Sequence, residues 1–197
     1  RMAQASTVPA QRSPESLLPV NTPKLGMWIF LASEVMFFSA LIAAFLMYRL
    51  RGPADANHVL NIPLTAFNTF VLLTSSMTVV LALAAAQRND QAKLRLWLLV
   101  SLLFGGTFLS VQMIEYFKLF EEGLTINSNM FGTIFFTLTG FHGTHVFIGL
   151  LWLVGIIVQA FRGRFSATYN MSLEIFGLYW HFVDIVWIIL FVIVYLI

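Results

Sequence analysis

The chain of 197 residues contains no cysteine, and only 10% of its residues are charged. Without cysteine it can form no disulfide and no metal or haem site that depends on a thiolate ligand. A soluble domain carries about 25% charged residues, whereas 59% of this chain is hydrophobic. The net charge of +2 is too small and too dispersed to form the basic patch of a nucleic-acid-binding protein. The composition therefore indicates an integral membrane protein.

Proline is also scarce, and four of the six prolines lie in the first 23 residues. This segment is polar and shows no helical periodicity. It lacks the apolar core that precedes the cleavage site of a signal peptide. We therefore expect residues 1–23 to be a mobile polar tail and residues 24–197 to form one transmembrane domain.

Five long apolar segments follow the tail, and each meets the requirement of about 20 apolar residues for a spanning helix. They cover approximately residues 25–48, 62–86, 95–117, 130–161 and 172–197. Because the connections are short, we expect consecutive helices to be antiparallel neighbours. The pattern predicts an all-α integral membrane protein that is a bundle of five transmembrane helices.

The lysines and arginines of the loops predict the orientation, because cytoplasmic loops carry an excess of these residues. Eight basic residues lie on the side of the N-terminus and three on the opposite side. The N-terminus is therefore expected in the cytoplasm, and five spans then place the C-terminus outside.

Five ionisable side chains lie well inside the apolar segments, where a charge costs roughly 2.5–3.5 kcal/mol at the bilayer centre. Such residues usually face partners or water and mark functional sites. Glu34 lies about 13 Å from the cytoplasmic end of its helix at 1.5 Å per residue. We predict that Glu34 contacts His142 or His145. The five residues are Glu34, His142, His145, His181 and Asp184.

The spacing of these residues suggests two local pairs. His142 and His145 are three residues apart and should share one helix face. A metal site made from them with Glu34 is conceivable, but histidines that bond to one another and to a carboxylate fit better, since a catalytic metal site usually needs a third ligand and an open position. His181 and Asp184 repeat the spacing, and Glu174 lies two turns before His181 on a similar face.

The set of His181, Asp184 and Glu174 supports two interpretations, a proton relay or an internal salt bridge. We favour pairing of His181 with Asp184, because opposite charges offset each other's desolvation. Glu115 is a weaker candidate for a functional residue than the five named above. Some 20 residues into its helix, it should reach the outer membrane interface, where a carboxylate costs little.

Four motifs in order resemble subunit III of the haem–copper terminal oxidases. GMWIFLASEVMFF at 26–38 resembles the family's helix with a membrane-buried glutamate. TGFHGTHVFIG at 139–149 and YWHFVDIVW at 179–187 resemble its histidine-bearing and last helices. QMIEY at 112–116 fits the element that precedes the histidine-bearing helix. The resemblance extends from Lys24 to Ile197, and its five spans are similar to the bacterial five-helix form of cytochrome c oxidase subunit III.

The resemblance implies a non-redox subunit with no catalytic residue, cofactor or metal of its own. It implies haem and copper in partner subunits, direct contact with subunit I, association with subunit II and further respiratory subunits, and bound phospholipid. It further implies a multi-pass protein of the bacterial plasma membrane that stabilises subunit I and supports proton uptake in an oxidase that reduces oxygen to water and pumps protons. The residues implicated in proton transfer or in a buried polar network are Glu34, His142, His145, His181, Asp184 and Glu174.

Other interpretations remain open. The chain could serve a quinol oxidase or accompany a nitric-oxide reductase within the same superfamily. A different class is an independent proton-coupled transporter, although the sequence shows no internal repeat of the kind many transporters have. A membrane metalloenzyme would require bound metal in stoichiometric amounts.

Overall fold

The computed structural model describes residues 22–51, 62–126, 130–166 and 170–196. In these ranges the chain forms five long helices, each long and apolar enough to cross a membrane. The predicted all-α bundle is therefore confirmed. The helices are α1 (Thr22–Arg51), α2 (Ile62–Gln87), α3 (Gln91–Glu121), α4 (Met130–Phe161) and α5 (Met171–Phe191), and α5 continues as a π-helical turn over Val192–Leu196.

The helix ends agree with the predicted spans to within about one turn. The first helix begins at Thr22, two residues inside the predicted tail, and residues 1–21 of that tail lie outside the described residues. Asp90 caps α3 by accepting a hydrogen bond from the backbone N–H of Lys93 at 3.1 Å. This bond, together with the Lys93 side chain, lowers the pKa of Asp90. Gly163 follows the end of α4 with a φ of +67°, a left-handed conformation that favours glycine.

The helices α2, α3, α4 and α5 pack against one another in chain order, and α5 also packs on α2. The first helix departs from the predicted order, because it packs against α4 and α5 and has little contact with α2. Its buried apolar side chains form one stripe at seven-residue intervals, and they are Leu31, Phe38 and Phe45. A single narrow stripe fits the seam between α4 and α5, so the prediction that α1 and α2 are neighbours is wrong.

Trp180 holds α5 against α2, α3 and α4. Its indole is fully buried, and its Nε1–H donates to the Ser75 hydroxyl at 3.0 Å. A Cβ atom added at Gly149 would lie 2.6 Å from the ring, and one added at Gly105 would lie 3.0 Å from it. Gly149 therefore accommodates a side chain of α5, because any larger residue would displace the indole.

Candidate functional site

Glu34 and His145 contact each other between α1 and α4, as the sequence predicted. The Oε2 atom of Glu34 lies 3.2 Å from Nε2 of His145, and both side chains are more than four-fifths buried. The other ring nitrogen, Nδ1, lies 2.8 Å from the backbone carbonyl of Phe141. A carbonyl only accepts, so Nδ1 carries a hydrogen. Nε2 then either accepts a hydrogen bond from a protonated Glu34 or donates one to its carboxylate.

The pair lies on the wall of an apolar groove of about 470 Å³ between α1 and α4. Phe30, Ile148, Trp152 and Tyr179 supply most of the remaining lining. The Tyr179 hydroxyl donates to the backbone carbonyl of His145 at 2.9 Å and so fixes this turn of α4 against α5. The groove thus exposes the pair to an otherwise apolar space.

His142 does not join this pair. Its imidazole is buried and stacks on Trp187, with ring centroids 4.8 Å apart. Neither of its ring nitrogens has a hydrogen-bond partner. Side chains three residues apart point about 60° away from each other around a helix of 3.6 residues per turn. This difference in direction takes His145 to α1 but His142 towards α3 and α5. The prediction that the two histidines bond to one another is therefore wrong.

His181 and Asp184 do not form the predicted salt bridge. Nδ1 of His181 forms a hydrogen bond with the Ser76 hydroxyl of α2. Asp184 is 3% exposed, and neither carboxylate oxygen has a hydrogen-bond partner. His181 thus meets a serine of the neighbouring helix instead of the aspartate on its own helix.

Glu174 pairs with Lys24 across α1 and α5. Both side chains line a groove of about 390 Å³ between α1, α2 and α5, and His181 lies on the same groove. The prediction that Glu174 and His181 share a face is confirmed.

Glu115 is buried in the bundle, which its predicted depth at the outer interface did not indicate. It is 5% exposed, and Oε1 accepts hydrogen bonds from the hydroxyls of Thr65 at 3.1 Å and Tyr195 at 3.2 Å. Sequence reasoning missed both hydroxyl residues and Ser76. The polar stripe of α2 would have indicated Thr65 and Ser76, since its buried polar residues recur at helical spacing: Thr65, Asn68, Thr69, Ser75, Ser76 and Thr78.

We expect Glu115→Leu to lower the free energy of unfolding by about 1–3 kcal/mol, because it removes the acceptor of two buried hydroxyls. Glu115→Gln keeps a carbonyl oxygen at this position and should cost less. Unfolding by dodecyl sulfate in mixed micelles measures both variants. Equal stability of the two variants would contradict the role assigned to this oxygen.

Among the described residues, no group of three or more histidine and acidic side chains is arranged to hold a metal ion. The ionisable residues instead divide into separate contacts between helices. The structure brings together Glu34 with His145, Glu174 with Lys24, and His181 with Ser76.

Comparison with known proteins identifies the family. The family model described as cytochrome c oxidase subunit III matches residues 18–197. The chain is 36% identical over 193 residues to cytochrome c oxidase subunit 3 of Corynebacterium diphtheriae, covering 94% of each chain. It is 41% identical over 175 residues to the subunit of the same name from Synechocystis, covering 87% of this chain and 74% of the relative. A quinol oxidase subunit 3 of Bacillus spizizenii is 36% identical over 174 residues, covering 87% of this chain and 85% of the relative. With its five apolar helices and these matches over nearly its whole length, the chain belongs to the cytochrome c oxidase subunit III family.

Proposed function

We propose that the chain is the non-catalytic subunit III of an aerobic terminal oxidase that reduces oxygen to water with electrons from cytochrome c and pumps protons. The family match over residues 18–197 carries this proposal. In it, haem and copper belong to partner subunits, and the chain contacts subunit I within a complex that also contains subunit II. The bacterial relatives favour the plasma membrane of a bacterium, with the N-terminus in the cytoplasm.

Solubilised in mild detergent, the chain is expected to co-purify with a subunit that contains haem and copper. Optical spectra and mass spectrometry of the purified complex measure this directly. Recovery of the chain as a haem-free assembly would contradict the proposal.

Glu34 and His145 are the residues that we assign to proton uptake. The pair holds one proton in a groove whose walls are otherwise apolar. In a groove of this kind a phospholipid tail would exclude water from the pair while the proton passes between carboxyl and imidazole. Three further ionisable residues, the buried His142 and Asp184 and the partly buried Glu174, would stabilise the bundle that supports subunit I.

A quinol oxidase is the second candidate, because a quinol oxidase subunit 3 is as similar to this chain as several cytochrome c oxidase subunits are. The electron donor is bound by other subunits, so the test lies with the partner. A dinuclear copper site in the co-purified subunit II supports cytochrome c as the donor, and its absence supports quinol.

A further inference from the structure

A groove of about 230 Å³ lies between α3 and α4. The exposed side chains of Met113 and Phe147 line it, so it opens on the surface of the bundle. Two glycines of α4, Gly140 and Gly143, lie on the same groove. A Cβ atom added at either glycine would meet no heavy atom of the described residues within 4 Å. The backbone of α4 therefore has free space beside it.

Gln112 of α3 brings a buried polar group to this groove. It is 1% exposed, and neither Oε1 nor Nε2 has a hydrogen-bond partner in the part of the chain that the structure describes. Tyr116, one turn further along α3, donates its hydroxyl proton to Thr139 at 2.7 Å and so does not donate to Oε1. A buried amide without partners is costly, and an occupant of the groove that offers a donor or an acceptor removes that cost.

The depth of the groove excludes lipid head groups as that partner. Gly143 is 13 residues from the start of α4, which is about 20 Å at 1.5 Å per residue. The whole helix of 32 residues is about 48 Å long, whereas the hydrocarbon core of a bilayer is about 30 Å thick. Gly143 therefore lies within the core, where lipid tails offer no hydrogen bond.

The size of the groove favours a protein helix as its occupant. Pockets that bind small molecules have volumes of about 300–1,000 Å³, and this groove is smaller. Contacts between helices in membranes combine small residues, which let backbones approach closely, with hydrogen bonds from amide and hydroxyl side chains. The two glycines and Gln112 supply both halves of that pattern on one side of such a contact.

We propose that this groove docks a transmembrane helix of a neighbouring subunit. That helix presents a glycine, alanine or serine to Gly140 and Gly143, and an amide or hydroxyl side chain to Gln112. The inference rests on the proposed function in one respect, since it requires a second membrane subunit in the complex. Neither Glu34 nor His145 is among the residues that line this groove, so docking here is separate from the proton uptake assigned to that pair.

Filling the groove tests the docking on the native complex purified in mild detergent. Gly140→Leu places a side chain where the partner helix would lie. We expect it to weaken retention of the chain by about 5- to 150-fold, the range that overpacking of a close contact produces. The apparent dissociation constant of the chain from the diluted complex measures this. The matched control is Gly155→Leu, because a Cβ there also meets no described atom within 4 Å and Gly155 does not line the groove; it should be retained like the wild type.

Removing the amide tests the polar half of the contact. Gln112→Leu should weaken retention by about 3- to 20-fold, the range of interhelical hydrogen bonds in membranes. The same variant should not lower the free energy of unfolding of the isolated chain in mixed micelles, because the amide has no partner among the described residues. A purely structural role of Gln112 within the chain would instead destabilise the isolated chain.

Photocross-linking identifies the occupant. The variant Phe147→p-benzoylphenylalanine carries the reactive ring on the groove and should cross-link, within the native complex, to a transmembrane helix of another subunit that has a small residue and an amide or hydroxyl side chain within one turn. Mass spectrometry of the cross-linked peptide reads out that helix. Cross-links to lipid alone, or to a second copy of this chain, would overturn the proposal.

Retention of Gly140→Leu at the wild-type level would also overturn it. Should Gly140→Leu unfold as an isolated chain, Gln112→Leu and the cross-link decide the question. Failure of the proposed function is a different result, since the wild-type chain itself would then not co-purify with a subunit that contains haem and copper.

Discussion

Substituting Gly149 with alanine is expected to lower the free energy of unfolding by about 1–3 kcal/mol, the usual cost of forcing extra volume into a packed core. The added Cβ would lie 2.6 Å from the Trp180 ring and 3.1 Å from the Tyr179 ring. Trp180 cannot retreat easily, because Gly105 lies against another edge of its ring and Ser75 holds its Nε1–H. Tyr179 is likewise held by its bond to the carbonyl of His145.

The matched control is Gly155→Ala on the same helix. An added Cβ at Gly155 meets no heavy atom within 4 Å, so only the helix propensity changes there. Alanine is favoured over glycine in a helix interior by about 0.5–1 kcal/mol, and the control should be neutral or stabilising. Unfolding by dodecyl sulfate in mixed micelles compares the two variants. A Gly149→Ala chain as stable as Gly155→Ala would show that Trp180 does not fix the position of α5.

Separating Glu34 from His145 is expected to lower the free energy of unfolding by about 1–3 kcal/mol for either single substitution, because each leaves a polar partner unsatisfied. We choose Glu34→Leu and His145→Phe, since the first removes the carboxyl and the second keeps a ring against Phe38. The double variant should lose less free energy of unfolding than the two single variants lose together. The difference, the coupling energy, should be about 0.5–3 kcal/mol, as for other contacting residues.

A second cycle supplies the control for that coupling. It combines Glu34→Leu with Lys93→Met, whose lysine pairs with Asp90 at the α2–α3 turn. Substitutions at sites that share no partner should add within about 0.5 kcal/mol. Both cycles use the same mixed-micelle unfolding measurement. Additive behaviour of Glu34→Leu and His145→Phe would mean that the contact between them contributes nothing to stability.

Much of the candidate site was predictable because buried charge is rare in a membrane. Glu34, His145, Glu174 and His181 stood out as ionisable residues in apolar segments, and each lies at a contact between helices or on a groove. Counting residues along the helices was enough to predict that Glu34 contacts either His142 or His145. Counting did not reveal that Glu115 is buried, since it gives depth along a helix but not the direction of the side chain.

The sequence by itself determined the membrane character, the five helices, the buried ionisable residues and the resemblance to a family. Only the tertiary structure decided that Glu34 meets His145 rather than His142, that His181 meets Ser76 rather than Asp184, and that α1 packs on α4 and α5. The physical reason is that these helices are apolar on nearly every face, as lipid requires, so periodicity does not mark which face turns inward. Small residues and side-chain packing set each helix rotation instead, as Gly149 and Gly105 do for Trp180.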